Sequence, residues 1–194
     1  MTSEKILSKP ATRLLGVAES GMMGARQTVL GGVVMRGDLI IDGFVWNKAT
    51  IRGCDSTQSI IKMLEWLERA DISGLMLHGT VIAGYNIIDM VHLFQKTSFP
   101  IISVTKQPQE DLKKHLQLTF PSEWEKRWEI AQRNGKIQSI EVDPNSSVYV
   151  QFIGCEWDVV TGVIKRFTHF GGIPEPIRVA RMFARVLMDL EKRS

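Results

Sequence analysis

Residues 13–51 read RLLGVAESGMMGARQTVLGGVVMRGDLIIDGFVWNKATI, and the parsing of this stretch decides the fold. Arg13-Leu14-Leu15-Gly16-Val17-Ala18 is a short apolar run closed by the turn-prone Ser20-Gly21, as a buried strand would be. Thr28 to Met35 is β-branched and punctuated by glycine, and Leu39 to Ile51 is a second long run of strand character. Between them Arg36-Gly37-Asp38 has the size and the glycine of a hairpin connection. The stretch therefore predicts a three-strand antiparallel meander.

Working outward, the period changes from two to 3.6. From Ser56, read as an N-cap, Ile60, Ile61, Leu64 and Leu67 fall at helical spacing as far as Ala70, with most charges on another side. Gly74 to His78 is a short apolar run of the kind a buried parallel strand has. A loop, Gly79 to Tyr85, leads to a helix over about 86–96, and Pro100 to Thr105 is the next strand. Helices are expected around 109–117 and 122–134, and strands over 137–142 and 147–153 around Asp143-Pro144-Asn145. A helix near 156–166 and a last one from Pro174 to Lys192 complete the order, with Pro174 and Pro176 in a first turn that needs no amide donor. A meander followed by strand–helix–strand units is the order of a ribonuclease H-like α/β fold with flanking helices. Residues 1–194 read as a single domain, with 1–11 a loose N-terminal tail.

Composition narrows the function classes. The 194 residues are 44% hydrophobic and 23% charged, which excludes disorder and disulfide miniproteins. The net charge is +3, from 24 basic and 21 acidic residues, so bulk charge does not imply non-specific nucleic-acid binding, and any such site must be local. Cys54 and Cys155 are too few for a disulfide framework and suit a reducing cytoplasm. The N-terminus lacks the apolar run of a signal peptide, and no stretch approaches the ~20 apolar residues of a membrane span. A cytoplasmic protein without a membrane partner is expected.

In open α/β sheets, sites gather at the carboxyl ends of strands and at helix N-termini. Val17 to Gly21, His78 to Asn86 and Thr105 to Gln109 should meet there, with His169 to Ile173 closing the rim. Several pieces of this rim form a pattern with Leu15-Gly16-Val17, Gly32-Val33-Val34-Met35-Arg36-Gly37, Ile41-Asp42-Gly43 and Asp55-Ser56-Thr57. It continues through Gly79-Thr80-Val81-Ile82-Ala83-Gly84-Tyr85-Asn86-Ile87-Ile88-Asp89 and Gly172-Ile173-Pro174-Glu175-Pro176-Ile177-Arg178-Val179-Ala180. In number, order and spacing these resemble the mostly archaeal domain-of-unknown-function family 99, related in fold to endonuclease V.

The resemblance implies a nuclease-like pocket in which carboxylates hold a divalent ion that stabilises charge and activates water. This chain departs from that pattern. The first carboxylate position is Ala18, and the Asp-Gly pair ending the central strand is His78-Gly79. The position of a catalytic histidine in the last helix is Arg181. Lys106 does match the lysine expected beside the scissile phosphate. Glu19 and Asp55 remain as carboxylates, but neighbours on a strand face opposite ways, so Glu19 is no simple substitute for position 18. The expectation is an endonuclease V-like pseudoenzyme without robust magnesium-dependent cleavage and without a resident cofactor. It would bind nucleic acid or nucleotide phosphate through Gly79, Thr80, Gly84, Asn86, Lys106, Arg178 and Arg181. Two alternatives stand beside it. One is an active nuclease holding a transition metal on Glu19, Asp55 and His78, since imidazole suits such metals better than magnesium. The other is a protein-interaction scaffold.

Individual residues also carry plainer readings. Asp89 near a helix start would satisfy the positive helix end. Gly79, Gly84 and Asn86 form either an anion cradle or an ordinary turn with an Asn N-cap. Arg178, Arg181 and Arg185 share a helix face that is either solvated, partly paired with Glu175, or phosphate-contacting. Trp124 and Trp128 read as packing anchors.

Overall fold

The computed structural model describes residues 7, 12–21, 24–108, 110–144, 146–169 and 171–193; the expected tail over 1–11 lies almost wholly outside them. The meander is present as β1 (Arg13–Ser20), β2 (Gln27–Arg36) and β3 (Ile41–Thr50). The chain continues through α1 (Ser56–Leu67), β4 (Gly74–His78), β5 (Val81–Ile82), β6 (Asn86–Ile87) and α2 (Met90–Thr97). Then come β7 (Ile101–Thr105), α3 (Leu112–Thr119), α4 (Trp124–Arg133), β8 (Gln138–Asp143), β9 (Ser146–Ile153), α5 (Trp157–Phe167) and α6 (Glu175–Glu191). Seven strands form one sheet in the order β3-β2-β1-β4-β7-β9-β8. β1, β4 and β7 run parallel at its centre, and the pairs β1–β2, β2–β3, β7–β9 and β8–β9 are antiparallel.

Alternation along β1 sends side chains into two cores. Leu15 and Val17 join Ile60, Met63, Leu75 and Leu77 beneath α1 and α2. Leu14 and Ala18 join Met76, Ile102, Val163, Ile177 and Ala180 beneath α5 and α6. Burial of each large aliphatic group contributes roughly 1.5–3 kcal/mol, so both faces of the central strands are committed. On α6 the buried residues Ile177, Ala180, Ala184 and Met188 recur every three or four positions. Two glycines let its backbone lie directly on the sheet. A Cβ on Gly16 would stand 2.5 Å from Pro176, and one on Gly31 would stand 2.4 Å from the Ala180 carbonyl oxygen. Small residues at these points set the depth, and hence the reach, of the last helix.

Two local expectations change. Ser56 is not the cap of α1: Asp55 holds that position in a helical conformation without a side-chain cap bond. The expected helix from residue 86 starts at Met90, with Asp89 as N-cap accepting the His92 N–H at 3.0 Å. The residues before it form the short β5–β6 hairpin, closed by the Ile88 N–H donating to the Thr80 carbonyl at 2.8 Å.

Candidate nucleic-acid interface

The carboxyl ends of β1, β4 and β7 lie side by side, with Val17 opposite Leu77 and His78 opposite Val104. Ala18 and His78 are each even-numbered and share the α6 side of the sheet. Ala18 is sealed there, 3% exposed, with Ile177 and Ala180. The half-buried His78 opens into a hollow of about 340 Å³ lined by Gly171, Ile173, Arg178, Arg181, Met182 and Arg185. Burial pushes its imidazole below the usual pKa of 6.5, and the Arg181 cation pushes the same way. It is therefore a neutral ring at neutral pH.

Glu19 follows the alternation to the opposite face, where its Oε2 accepts the Ala83 N–H at 2.9 Å. Burial raises its carboxyl above 4.5, opposed by the Ala83 amide, the Thr28 hydroxyl and the Arg181 charge. The Arg181 charge thus acts on both groups, although the sheet turns them to opposite faces. Lys106 is exposed on the turn after β7. Its Cε lies 3.9 Å from where a Gly172 Cβ would stand. The loop that touches Lys106 on one side also supplies Gly171 and Ile173 to the Arg181 hollow on the other.

Other expected site residues are placed elsewhere or are already engaged. Asp55 is a structural acceptor, taking the Thr50 N–H at 3.0 Å, the Thr50 hydroxyl at 2.7 Å and the Asn86 amide at 2.7 Å. Burial alone would raise its pKa, but the bonds from Thr50 and Asn86 outweigh burial and hold it below the usual range. Asn86 is fully buried; its amide also donates to the Thr50 carbonyl at 2.8 Å, and its Oδ1 accepts the Ser56 N–H at 3.2 Å. Asn86 therefore pins the β3–α1 turn to the β5–β6 hairpin and offers nothing to an anion. Gly84 (φ +65°) turns that hairpin against Ile51 and Arg52. With α2 beginning only at Met90, the cradle expected from Gly79, Gly84 and Asn86 at a helix start is not formed.

Gly79 and Thr80 instead line a separate cleft of about 1050 Å³, shared with Thr105, Gln107, Trp128 and Tyr149. The Gly79 N–H donates to the Val104 carbonyl at 3.0 Å, and the Thr80 hydroxyl donates to Gln151 Oε1 at 3.1 Å. Arg178 donates to Glu175 Oε2 from Nε at 2.8 Å, so the paired reading of that residue holds in part; Arg178 remains half-exposed.

A metal centre does not fit. Among the described residues no three His, Cys, Asp or Glu side chains stand close enough to hold an ion. Glu19 and His78 lie on opposite faces of the sheet, and the Arg181 cation lining the His78 hollow repels a second one. One structural residue escaped the sequence altogether. Arg127 of α4 is 4% exposed and donates to the carbonyls of Gly53 (2.6 Å), Arg52 (2.9 Å) and Tyr85 (3.0 Å), above the Phe120 ring. An arginine in a polar helix gives no signal of burial; its partners are main-chain carbonyls about 40 and 75 residues away.

A mixed sheet opening with a meander and flanked by helices is an α/β fold that matches endonuclease V structures. The endonuclease V of Ciona intestinalis, solved with a 24mer DNA containing an inosine followed by a ribo-adenosine, superposes with a TM-score of 0.63 at 16% identity. The match covers 99% of this chain and 96% of that one. A protein of unknown function from Archaeoglobus fulgidus superposes with a TM-score of 0.78 at 23% identity, over 91% and 98% of the two chains. The chain belongs to the Endonuclease dU family, whose model matches residues 10–188. The UPF0215 protein of Methanosarcina barkeri is 31% identical over 186 residues, covering 95% of each chain.

Proposed function

We propose that this protein binds a nucleic-acid or nucleotide phosphate at the ends of β1, β4 and β7, without robust magnesium-dependent cleavage. The observation that carries the reading is Arg181. It lines the hollow into which His78 opens, and its charge acts on both His78 and Glu19, at the rim where the resemblance places metal-binding carboxylates. A phosphate that would need a bound cation in a metal nuclease meets a covalently attached one here. Arg181 and Lys106 are donors without acceptors, and Arg181 can offer a phosphate two parallel N–H bonds. Arg185 and Arg178 extend the positive edge along α6, and His78 adds a neutral ring able to give or take one hydrogen bond.

The experiment is a fluorescence-anisotropy titration of single-stranded oligonucleotides, with and without one dU, at several salt concentrations. Lys106→Ala and Arg181→Ala should each weaken binding by roughly 1–3 kcal/mol and flatten the salt slope by about 0.7 per lost contact. Unchanged affinity in both variants would remove the phosphate reading and leave the scaffold in front. The family name, Endonuclease dU, favours a second reading in which the chain cuts DNA at such a site. Cleavage of the dU oligonucleotide, abolished in His78→Ala, would put that reading first.

A further inference from the structure

We propose that the hollow between the end of β4 and α6 takes a terminal phosphate monoester, a dianion, in preference to the phosphodiester of a continuous strand. This rests on the phosphate reading above and sharpens it, because the two esters differ in charge, in free oxygens and in the arms that must leave the site. A monoester carries about −1.5 to −2 at neutral pH and offers three acceptor oxygens. A diester carries a single charge, one free oxygen fewer and a second carbon arm.

The charge of the hollow matches the monoester. Arg178, Arg181 and Arg185 follow one another along one face of α6, and all line the hollow. Arg178 is set off by Glu175, which accepts from its Nε at 2.8 Å. Arg181 and Arg185 are exposed and ion-pair with no described residue. Asp189 feels the Arg185 charge but is held by Lys192 at 2.8 Å. Glu19 acts on Arg181 from the opposite face of the sheet, where its Oε2 takes the Ala83 N–H. Lys106, on the far side of Gly172, adds a cation to the rim that offsets Glu19 in the local charge. With each of these carboxylates set against a cation, Arg181 and Arg185 remain over, enough for a dianion and one too many for a diester.

The shape argues the same way. One wall is α6, and the other is the loop bearing Gly171 and Ile173, which runs through Pro174 into Glu175, the first residue of α6. The walls therefore meet, and continuous chain closes the hollow at that end. A strand end fits such a corner, whereas an internal phosphodiester needs a way out for each of its arms. At about 340 Å³ the hollow stands at the lower end of the roughly 300–1,000 Å³ of small-molecule pockets, with room for a small ester rather than a run of nucleotides. Ile173, Ile177 and Met182 lie among the cations and offer apolar surface to the one remaining arm. His78 is a neutral ring there, so it adds a hydrogen bond and no further charge.

The test is an NMR titration of the full chain at pH 7.5, read at the His78 ring, with methyl phosphate and with dimethyl phosphate. Methyl phosphate should saturate the shift at about tenfold lower concentration, since its extra oxygen gains a charge-assisted hydrogen bond. Arg185→Ala, an exposed substitution whose melting temperature should match wild type, should erase most of that preference. Competition then uses thymidine 5′-monophosphate and hexathymidylate with a 5′-phosphate, a 3′-phosphate or neither. Whichever phosphorylated probe gains about tenfold over the unphosphorylated strand names the source of the monoester. Equal affinity for the two small esters, or a preference that survives Arg185→Ala, would overturn the proposal. Equal, Arg181-dependent binding of phosphorylated and unphosphorylated strands would overturn it while leaving the phosphate reading in place, and no shift with any phosphate would remove both.

Discussion

Replacing Gly31 with alanine is the sharpest perturbation of the link between packing and the anion site. The added Cβ would stand 2.4 Å from the Ala180 carbonyl oxygen, 2.9 Å from the Ala184 nitrogen and 3.0 Å from the Ala184 Cβ. Two of these atoms are main chain of α6, so no rotamer relieves the contact. Ordinary contact begins near 3.4 Å, so α6 must retreat by about 1 Å, an overpacking cost of roughly 1–3 kcal/mol. At roughly 2–4 °C per kcal/mol for a chain of this size, the Tm should fall by about 2–12 °C. Arg181 follows Ala180 directly and retreats with it. Oligonucleotide affinity should therefore fall, and the His78 imidazole should titrate closer to its ordinary value as the neighbouring cation and the burial both relax. Gly32→Ala is the control, because its Cβ points to the other face and meets Met63 Cε and Val45 Cγ1, each at 2.7 Å. The methionine end can swing aside but the β-branched Val45 cannot, so stability should fall here too while the His78 titration stays unchanged. Thermal melts, an NMR titration of His78 and anisotropy read the three effects. A Gly31→Ala variant that melts and binds like wild type would refute the claim that α6 depth sets the site.

Glu19→Gln should stabilise the protein at pH 7.5 and match wild type at pH 4 in urea melts. Burial holds the Glu19 carboxyl above 4.5, so the wild type loses stability as pH rises from there through the raised value; a less stable variant at pH 7.5 would mean that the attraction to Arg181 prevails. Arg127→Ala should cost on the order of 3 kcal/mol in the same melts, because three main-chain carbonyls lose a charged donor, while Glu123→Ala, which removes only a 3.6 Å ion pair to Arg127 from an exposed acid, should cost under about 1 kcal/mol. The double variant Ala18→Asp/His78→Asp should bind manganese measurably by calorimetry, since the two positions adjoin on the α6 side; no difference from wild type would mean that the pocket has diverged further than these two positions.

The order of elements was legible in the chain because period and punctuation are local properties. β1, β2 and β3 alternate or run apolar between glycine-bearing turns, and α6 repeats its buried residues at 3.6. Which residues stand at positions 18, 78, 106 and 181 is read directly from the chain; which of them share a hollow is decided by the fold. Even the opposed facing of Ala18 and Glu19 followed from the two-residue repeat of a strand.

Tertiary structure decided the rest, because it rests on partners distant in sequence. Asn86 looked like a helix cap and is a buried pin, since the Thr50 and Asp55 groups that claim its amide lie 36 and 31 residues away. Asp55 looked like a spare ligand and is consumed in the same knot. Arg127 gave no signal in the chain and is the most buried arginine described, held by carbonyls that carry no side-chain identity at all. Composition and periodicity report which face a residue prefers; which main-chain group it meets there depends on how the whole chain closes on itself.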